Sequence, residues 1–212
     1  MKNITYINNK FVKHSNAKIS IEDRGFLFAD SIYELISVFN KKIIDTDQHL
    51  NRLRSSLNKV KIKYNFNKKK IKKIISKLIK LNNVTNGYIY IQITRGVAER
   101  KHEFPKQYKP TTIIFTKNLN IDKKLYEKGV KIITISDLRW LRRDIKTTSL
   151  LPNVLSKQLA VEKNAFESWL IDNGNVTEGS ASNAWIIKSS NTIITHPANN
   201  KILKGVTRDT II

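Results

Sequence analysis

Residues 22–44 read EDRGFLFADSIYELISVFNKKII, a polar, turn-rich stretch that runs into an extended one. Ile32–Phe39 has mixed alternation and reads as a strand, after which Asn40-Lys41-Lys42 turns into Ile43-Ile44, a second hairpin candidate. Upstream, Ile4–Ile7 and Lys10–Val12 flank Asn8-Asn9, a dipeptide that tolerates positive φ and suits a two-residue hairpin turn. Downstream the pattern becomes helical. Asp47 is placed to cap a segment through Val60 in which Leu50, Leu53, Leu57 and Val60 recur at three- and four-residue steps. Asn67–Leu81 repeats the device, with Ile71, Ile74, Ile75, Leu78 and Ile79 forming an apolar stripe and seven lysines filling the rest of the surface. No aromatic residue interleaves those lysines, so the segment reads as an ordinary solvated helix face rather than a nucleic-acid or membrane surface.

Tyr88–Thr94 and Thr111–Thr116 are rich in aromatic and β-branched residues and predict two more strands, joined by a polar, Pro-containing loop at Arg95–Lys109. The mostly polar run 117–122 reads as a linker between an N-terminal small α+β domain, residues 1–116, and a C-terminal domain, residues 123–212. In the second part a short helix precedes a strand at Val130–Ile135, a loop surrounds Arg142–Pro152, and a helix is expected near Asn153–Asn164. Strands follow at Glu167–Asp172, Asn183–Lys188 and Asn191–Thr195, with a turn at Asn173-Gly174. After Gly205 the run VTRDTII starts like a helix and stops, so the C-terminal domain is expected to be incomplete.

With 212 residues and 40% hydrophobic composition the chain can close a sizeable core. It has no cysteine, which removes disulfides, thiolate nucleophiles and Cys-based metal sites, and its four histidines are too scattered to suggest any other metal centre. The formal charge of +22 comes from 39 basic against 17 acidic residues. Thirty of the 39 are lysines in a chain equally crowded with Ile and Asn, the mark of a compositional bias. A basic nucleic-acid-binding protein is the remote alternative that this charge leaves open. The opening MKNITYINNK lacks the apolar run of a signal peptide and no stretch approaches eighteen apolar residues, so no membrane contact is expected and the cytoplasm is the expected compartment.

Chemistry concentrates in dense polar or turn-rich segments, most of them where strands should end: EDRGFLFADSIYE, HLNRL, TRGVAERKHEFP, DIKTTSLLPN and TEGSASNAW, with HPANNKILKGVTRD close to the end. In order and spacing these six resemble the fold-type IV pyridoxal-phosphate enzymes, most closely the D-amino-acid transaminases. The resemblance runs from about Ile4 to Ile212. It implies a two-domain α/β (α+β) architecture, pyridoxal 5'-phosphate as cofactor, amino-acid and 2-oxo-acid substrates, and a homodimer.

Carried over position by position, the resemblance implies that Lys146 forms the Schiff base with the cofactor and then moves the proton. Only a primary amine can make that bond, and it must be neutral to attack. Glu178 would face the pyridine nitrogen and hold it protonated. Arg52 would bind the cofactor phosphate with its forked donors, Val206 and Thr207 would add backbone N–H groups at a helix start, and Leu203 would press on the ring. Tyr33, Arg100 and His102 would form the trap for the substrate carboxylate, with Arg100 and His102 reaching in from the neighbouring subunit.

Three departures stand out. The family's FGDGVYE is here FADSIYE, with Ala29 and Ser31 in place of glycines, and Pro152 replaces a glycine common after the lysine. Family members also continue for roughly seventy residues more. The implied reaction is transamination of D-alanine with 2-oxoglutarate to pyruvate and D-glutamate. A branched-chain L-amino-acid transaminase and aminodeoxychorismate lyase are the rivals within the fold, and both resemble the chain less around Arg100–Pro105.

Overall fold

The structure, a computed structural model, describes residues 3–120, 124–189 and 191–212. It divides into two compact units, Met1–Ile121 with Lys146–Thr148, and Asp122–Ile145 with Ser149–Ile212.

The first unit is built on strands β1 (Ile4–Ile7) and β2 (Lys10–Lys13), a one-turn helix α1 (Arg24–Phe28), strands β3 (Ser31–Phe39) and β4 (Lys42–Ile43), helices α2 (Thr46–Lys59) and α3 (Lys68–Leu81), and strands β5 (Gly87–Thr94) and β6 (Thr112–Asn118). The six strands form one antiparallel sheet in the order β2-β1-β6-β5-β3-β4. Both tight turns rest on left-handed residues, Asn8 and Asn9 in the first and Asn40 and Lys41 in the second. Period-two alternation sends Ile32, Glu34, Ile36 and Val38 of β3 to one face, where they are buried. Ile89, Ile91 and Ile93 of β5 are buried too, as are Leu50, Leu53 and Leu57 of α2 and Ile71, Ile75 and Leu78 of α3. A second row holds aromatics, with Tyr33 stacked on Tyr90 at 5.6 Å and Tyr90 on Phe115 at 4.9 Å.

Helix α3 begins as its sequence implies, the Asn67 side chain accepting from the Lys70 N–H at 2.9 Å. Helix α2 does not. Its cap position is Asp45, at φ 48°, and Asp47 sits in the first turn. There its carboxylate lies at the positive end of the helix and pairs with Lys72 at 2.7 Å and Lys68 at 3.8 Å. Of the run 117–122, Lys117 and Asn118 are the end of β6, paired with Tyr88 and Gly87, while residues 121 and 122 lie outside the described residues.

The second unit contains α4 (Lys124–Lys128), β7 (Ile132–Ser136), α5 (Leu151–Glu162), β8 (Glu167–Asp172), β9 (Asn175–Gly179), β10 (Trp185–Ile187), β11 (Ile193–Thr195) and α6 (Val206–Ile211). Strands β7 and β8 run parallel with β9 antiparallel at the side, and β10 and β11 form a separate hairpin. Helix α5 starts two residues before the position expected for it, because Pro152 is accepted in its first turn, where no intrahelical N–H is needed. Strand β9 and helix α1 are findings of the structure. TEGSASN gives no alternating pattern, and five residues are too short for a helical period to show.

Candidate active site

Lys146 is reached by pairing. Residues 146–148 lie along β3: Ile32 bridges Thr147, the Tyr33 N–H donates to the Lys146 carbonyl at 2.9 Å, and the Thr148 N–H donates to the Ser31 carbonyl at 3.2 Å. The hydroxyls of Ser31 and Thr148 meet at 2.5 Å, and the Lys146 N–H donates to the Ser56 hydroxyl on α2 at 3.3 Å. This fixes the backbone of the lysine while its Nζ lies 4.4 Å from the centroid of the Tyr33 ring. Tyr33 is itself held by Tyr90, whose hydroxyl donates to Gln92 at 2.9 Å and is pushed up to about 12, by burial first and by Tyr33 second.

Next to Tyr33 on the strand, Glu34 turns to the helix side and is fully buried, with a side-chain exposure of 0%. Arg52 donates to both its oxygens, from Nε at 2.7 Å and Nη2 at 2.8 Å, and Nδ1 of His49 stands 2.8 Å from the same carboxylate. Burial raises the Glu34 carboxyl, but the hydrogen bonds from Arg52 and His49 and the charges of Arg52 and Lys146 outweigh it and leave it below its ordinary value. The guanidinium of Arg52 is therefore oriented by a buried carboxylate one position from Tyr33. Neither Glu34 nor His49 is singled out by sequence. Both lie inside the conspicuous segments, but alternation alone leaves a Glu on a core-facing strand position looking like a mismatch.

Arg100 and His102 lie on the loop after β5 and both are exposed. The Arg100 guanidinium sits 5.3 Å from the Phe28 ring and the His102 ring 5.5 Å from it, so the two side chains gather on one aromatic residue.

In the second unit Glu178, at the end of β9, is buried. Its oxygens accept from an Arg139 Nη, from Asn183 Nδ2 at 2.9 Å and from the Leu203 N–H at 3.1 and 3.2 Å. Arg139 is shared with Asp137, to which it donates from Nη2 at 2.7 Å and Nε at 2.9 Å. Burial raises the Asp137 carboxyl, and the bonds from Arg139 and Thr177 bring it below its ordinary value. Burial also raises Glu178, and there the single Arg139 does not reverse it. Glu178 is thus a buried acid whose one cationic partner does not offset its burial. The loop that carries Leu203 is bonded to Glu178 through its backbone, and Asn183 Nδ2 ties the Leu203 carbonyl at 3.0 Å. Gly205 is required here: a Cβ on it would stand 2.1 Å from Asn183 Oδ1. Val206 and Thr207 open α6, where the first N–H groups have no partner within the helix.

The structure therefore brings Tyr33, Arg52 and Lys146 together in one unit, with Arg100 and His102 on its loop, and Glu178, Leu203, Val206 and Thr207 in the other. Their chemistry fits pyridoxal phosphate: a primary amine on a fixed backbone, a carboxylate wanting a cation, an oriented guanidinium and a helix start. Among the described residues no group of three His, Asp or Glu side chains could hold a metal ion, and no helix is long and apolar enough to cross a membrane.

Comparison with known proteins yields three results. Residues 31–212 match the family model described as amino-transferase class IV. The chain is 44% identical over 204 residues to a D-alanine aminotransferase of Staphylococcus aureus, spanning 96% of this chain and 72% of that one, and 39% identical to the protein of the same name from Bacillus licheniformis, spanning 95% and 71%. A solved branched-chain amino acid aminotransferase from Escherichia coli superposes with a TM-score of 0.90 over 100% of this chain and 72% of that one, at 21% identity. That likeness establishes the fold.

Proposed function

The chain belongs to amino-transferase class IV and is a pyridoxal-phosphate-dependent aminotransferase, and on that premise we propose that it moves the amino group of a D-amino acid to a 2-oxo acid, taking D-alanine and 2-oxoglutarate to pyruvate and D-glutamate. Arg100-Lys101-His102 carries this reading. One loop presents a bidentate donor and an imidazole, the pair suited to a substrate carboxylate. The name of the 44% identical relative supports it.

Bound pyridoxal phosphate supplies a carbonyl to take the amino group and a protonated ring to accept electrons from the substrate α-carbon. Lys146 would hold the cofactor through its amine and, once freed, would carry the proton that transamination moves, a task for which its backbone pairing with β3 keeps the residue in place. Glu178 would keep the ring nitrogen protonated, Leu203 would pack against the ring, and Arg52 with the N–H groups of Val206 and Thr207 would hold the phosphate. Tyr33 lines the substrate side beside Lys146. The active form is a homodimer in which Arg100 and His102 serve the partner's site.

The test is initial-rate measurement over a chiral panel of amino donors, with aminodeoxychorismate included. Turnover of D-alanine and not L-alanine, with KM raised by Arg100→Met, is the expected result; turnover of L-amino acids alone overturns it. Mixing the inactive Lys146→Ala variant with Arg100→Met after dissociation yields a population of sites with a KM near that of the wild type if the two residues act across a dimer.

A further inference from the structure

The loop that carries Arg100 and His102 is gripped from outside as well as by its own Phe104 and Tyr108. Arg24, in helix α1, is 3% exposed, and its guanidinium reaches across to it. Nη1 donates to the Lys101 carbonyl at 2.5 Å and Nη2 to the His102 carbonyl at 3.3 Å, while Nε donates to Asp30 at 2.8 Å. The same carboxylate of Asp30 accepts from Arg95, at 2.7 Å from Nε and 3.0 Å from Nη2. Arg95 in turn donates to the carbonyls of Val60 and Lys61 and lies 3.6 Å from the centroid of Phe104, at the far side of the loop. Phe28, the last residue of α1, sits between two guanidiniums, 4.8 Å from that of Arg24 and 5.3 Å from that of Arg100, with the His102 ring 5.5 Å away.

Arg24 thus fixes the peptide that links Arg100 to His102, and Phe28 orients the two side chains that project from it. A planar fork is the group for this task, since it engages two carbonyls and a carboxylate at once where an ammonium would act at one point. A loop that must offer a carboxylate two donors at a set separation loses affinity steeply when it drifts.

Building on the reading of Arg100 and His102 as the carboxylate trap, we propose that Arg24 is a positioning residue of that trap: it acts on the substrate only through the backbone of Lys101 and His102 and through Phe28, and so sets affinity for the amino and oxo acids. Asp30 is the hinge of the arrangement, because its one carboxylate ties Arg24 and Arg95 together directly before Ser31 and Tyr33.

The experiment uses the full chain loaded with pyridoxal phosphate. Arg24→Met is expected to raise KM for D-alanine about tenfold with kcat within about twofold and the cofactor's visible absorbance unchanged. Phe28→Leu shifts KM in the same direction. In an Arg100→Met/His102→Ala background the Arg24→Met change has nothing left to position, so its effect on KM shrinks to less than about twofold. Arg24→Lys, which keeps the charge beside Asp30 but not the fork, covers the case in which Arg24→Met does not fold, and gives the same KM pattern. A KM for D-alanine unmoved by any Arg24 or Phe28 variant, or an equal rise in both backgrounds, overturns the proposal. If Arg100→Met raises KM and the Arg24 variants do not, the trap stands and this inference falls; if Arg100→Met itself leaves KM unchanged, both fall.

Discussion

Glu34→Gln tests whether the buried carboxylate on β3 is the anchor of Arg52 and His49. The replacement keeps the volume and removes the charge, turning one acceptor into a donor that faces Arg52 Nη2 and His49 Nδ1, both now 2.8 Å from Glu34 Oε2. Breaking a buried pair by removing one partner costs about 3–5 kcal/mol, and the low end applies because the Arg52 and His49 side chains keep 15% and 12% exposure. At about 3 kcal/mol the melting temperature falls by roughly 6–12 °C for a chain of this size. The pH dependence follows from the sign of the shift. Glu34 is held below its ordinary value in the fold, so its contribution is full at neutral pH and disappears as acid protonates it, whereas Gln does not titrate. Thermal unfolding of both proteins followed by circular dichroism from neutral pH to below the ordinary carboxylate range reads this directly. The gap in stability is expected to be widest at pH 7 and to narrow on acidification. Equal melting temperatures at pH 7, or a gap that widens in acid, refutes the anchoring role.

Ala29 occupies a left-handed position at φ 53°, so Ala29→Gly relieves backbone strain and is expected to stabilise by about 1 kcal/mol, measured by urea unfolding. A lower midpoint contradicts it. Gly96→Ala is expected to destabilise by more than about 2 kcal/mol, since φ is 98° and the new Cβ would stand 2.0 Å from the Lys109 carbonyl oxygen. Glu178→Gln is expected to lower kcat about 100-fold. Burial raises Glu178 in the fold, so the wild-type acid favours folding at low pH and loses that contribution as pH rises through its raised value; melts of the cofactor-free variant lack this step.

The sheet and both long helices of the first unit are legible in sequence because burial there is one-sided: Ile32, Ile36 and Val38 alternate, and Leu50, Leu53 and Leu57 recur at helical steps. The start of α2 is not legible, because two aspartates, Asp45 and Asp47, compete for the cap and only the backbone at Asp45 decides. Strand β9 is hidden for a different reason. Its inward residues Thr177 and Glu178 are polar, and their burial depends on Asp137, Arg139 and the Leu203 N–H, all distant in sequence. The positions of Lys146, Glu178 and Arg52 follow from the resemblance of whole segments. What supports them does not. Arg24 and Arg95 are two of 39 basic residues, and nothing in composition separates a buried guanidinium that spans a carboxylate and distant backbone carbonyls from a solvated one. The left-handed backbone at Ala29 is one that glycine adopts without strain, whereas the Ser31 hydroxyl makes a hydrogen bond to Thr148 that glycine could not.

The central claim is that Lys146 holds the cofactor and moves the proton of a D-amino acid. The visible absorbance of the purified chain with pyridoxal phosphate, recorded before and after D-alanine and then L-alanine, tests it most directly, with Lys146→Ala alongside. The expected result is a long-wavelength band that requires Lys146 and is converted by D-alanine but not by L-alanine. A band of the same strength in Lys146→Ala, or conversion by L-alanine alone, contradicts the account.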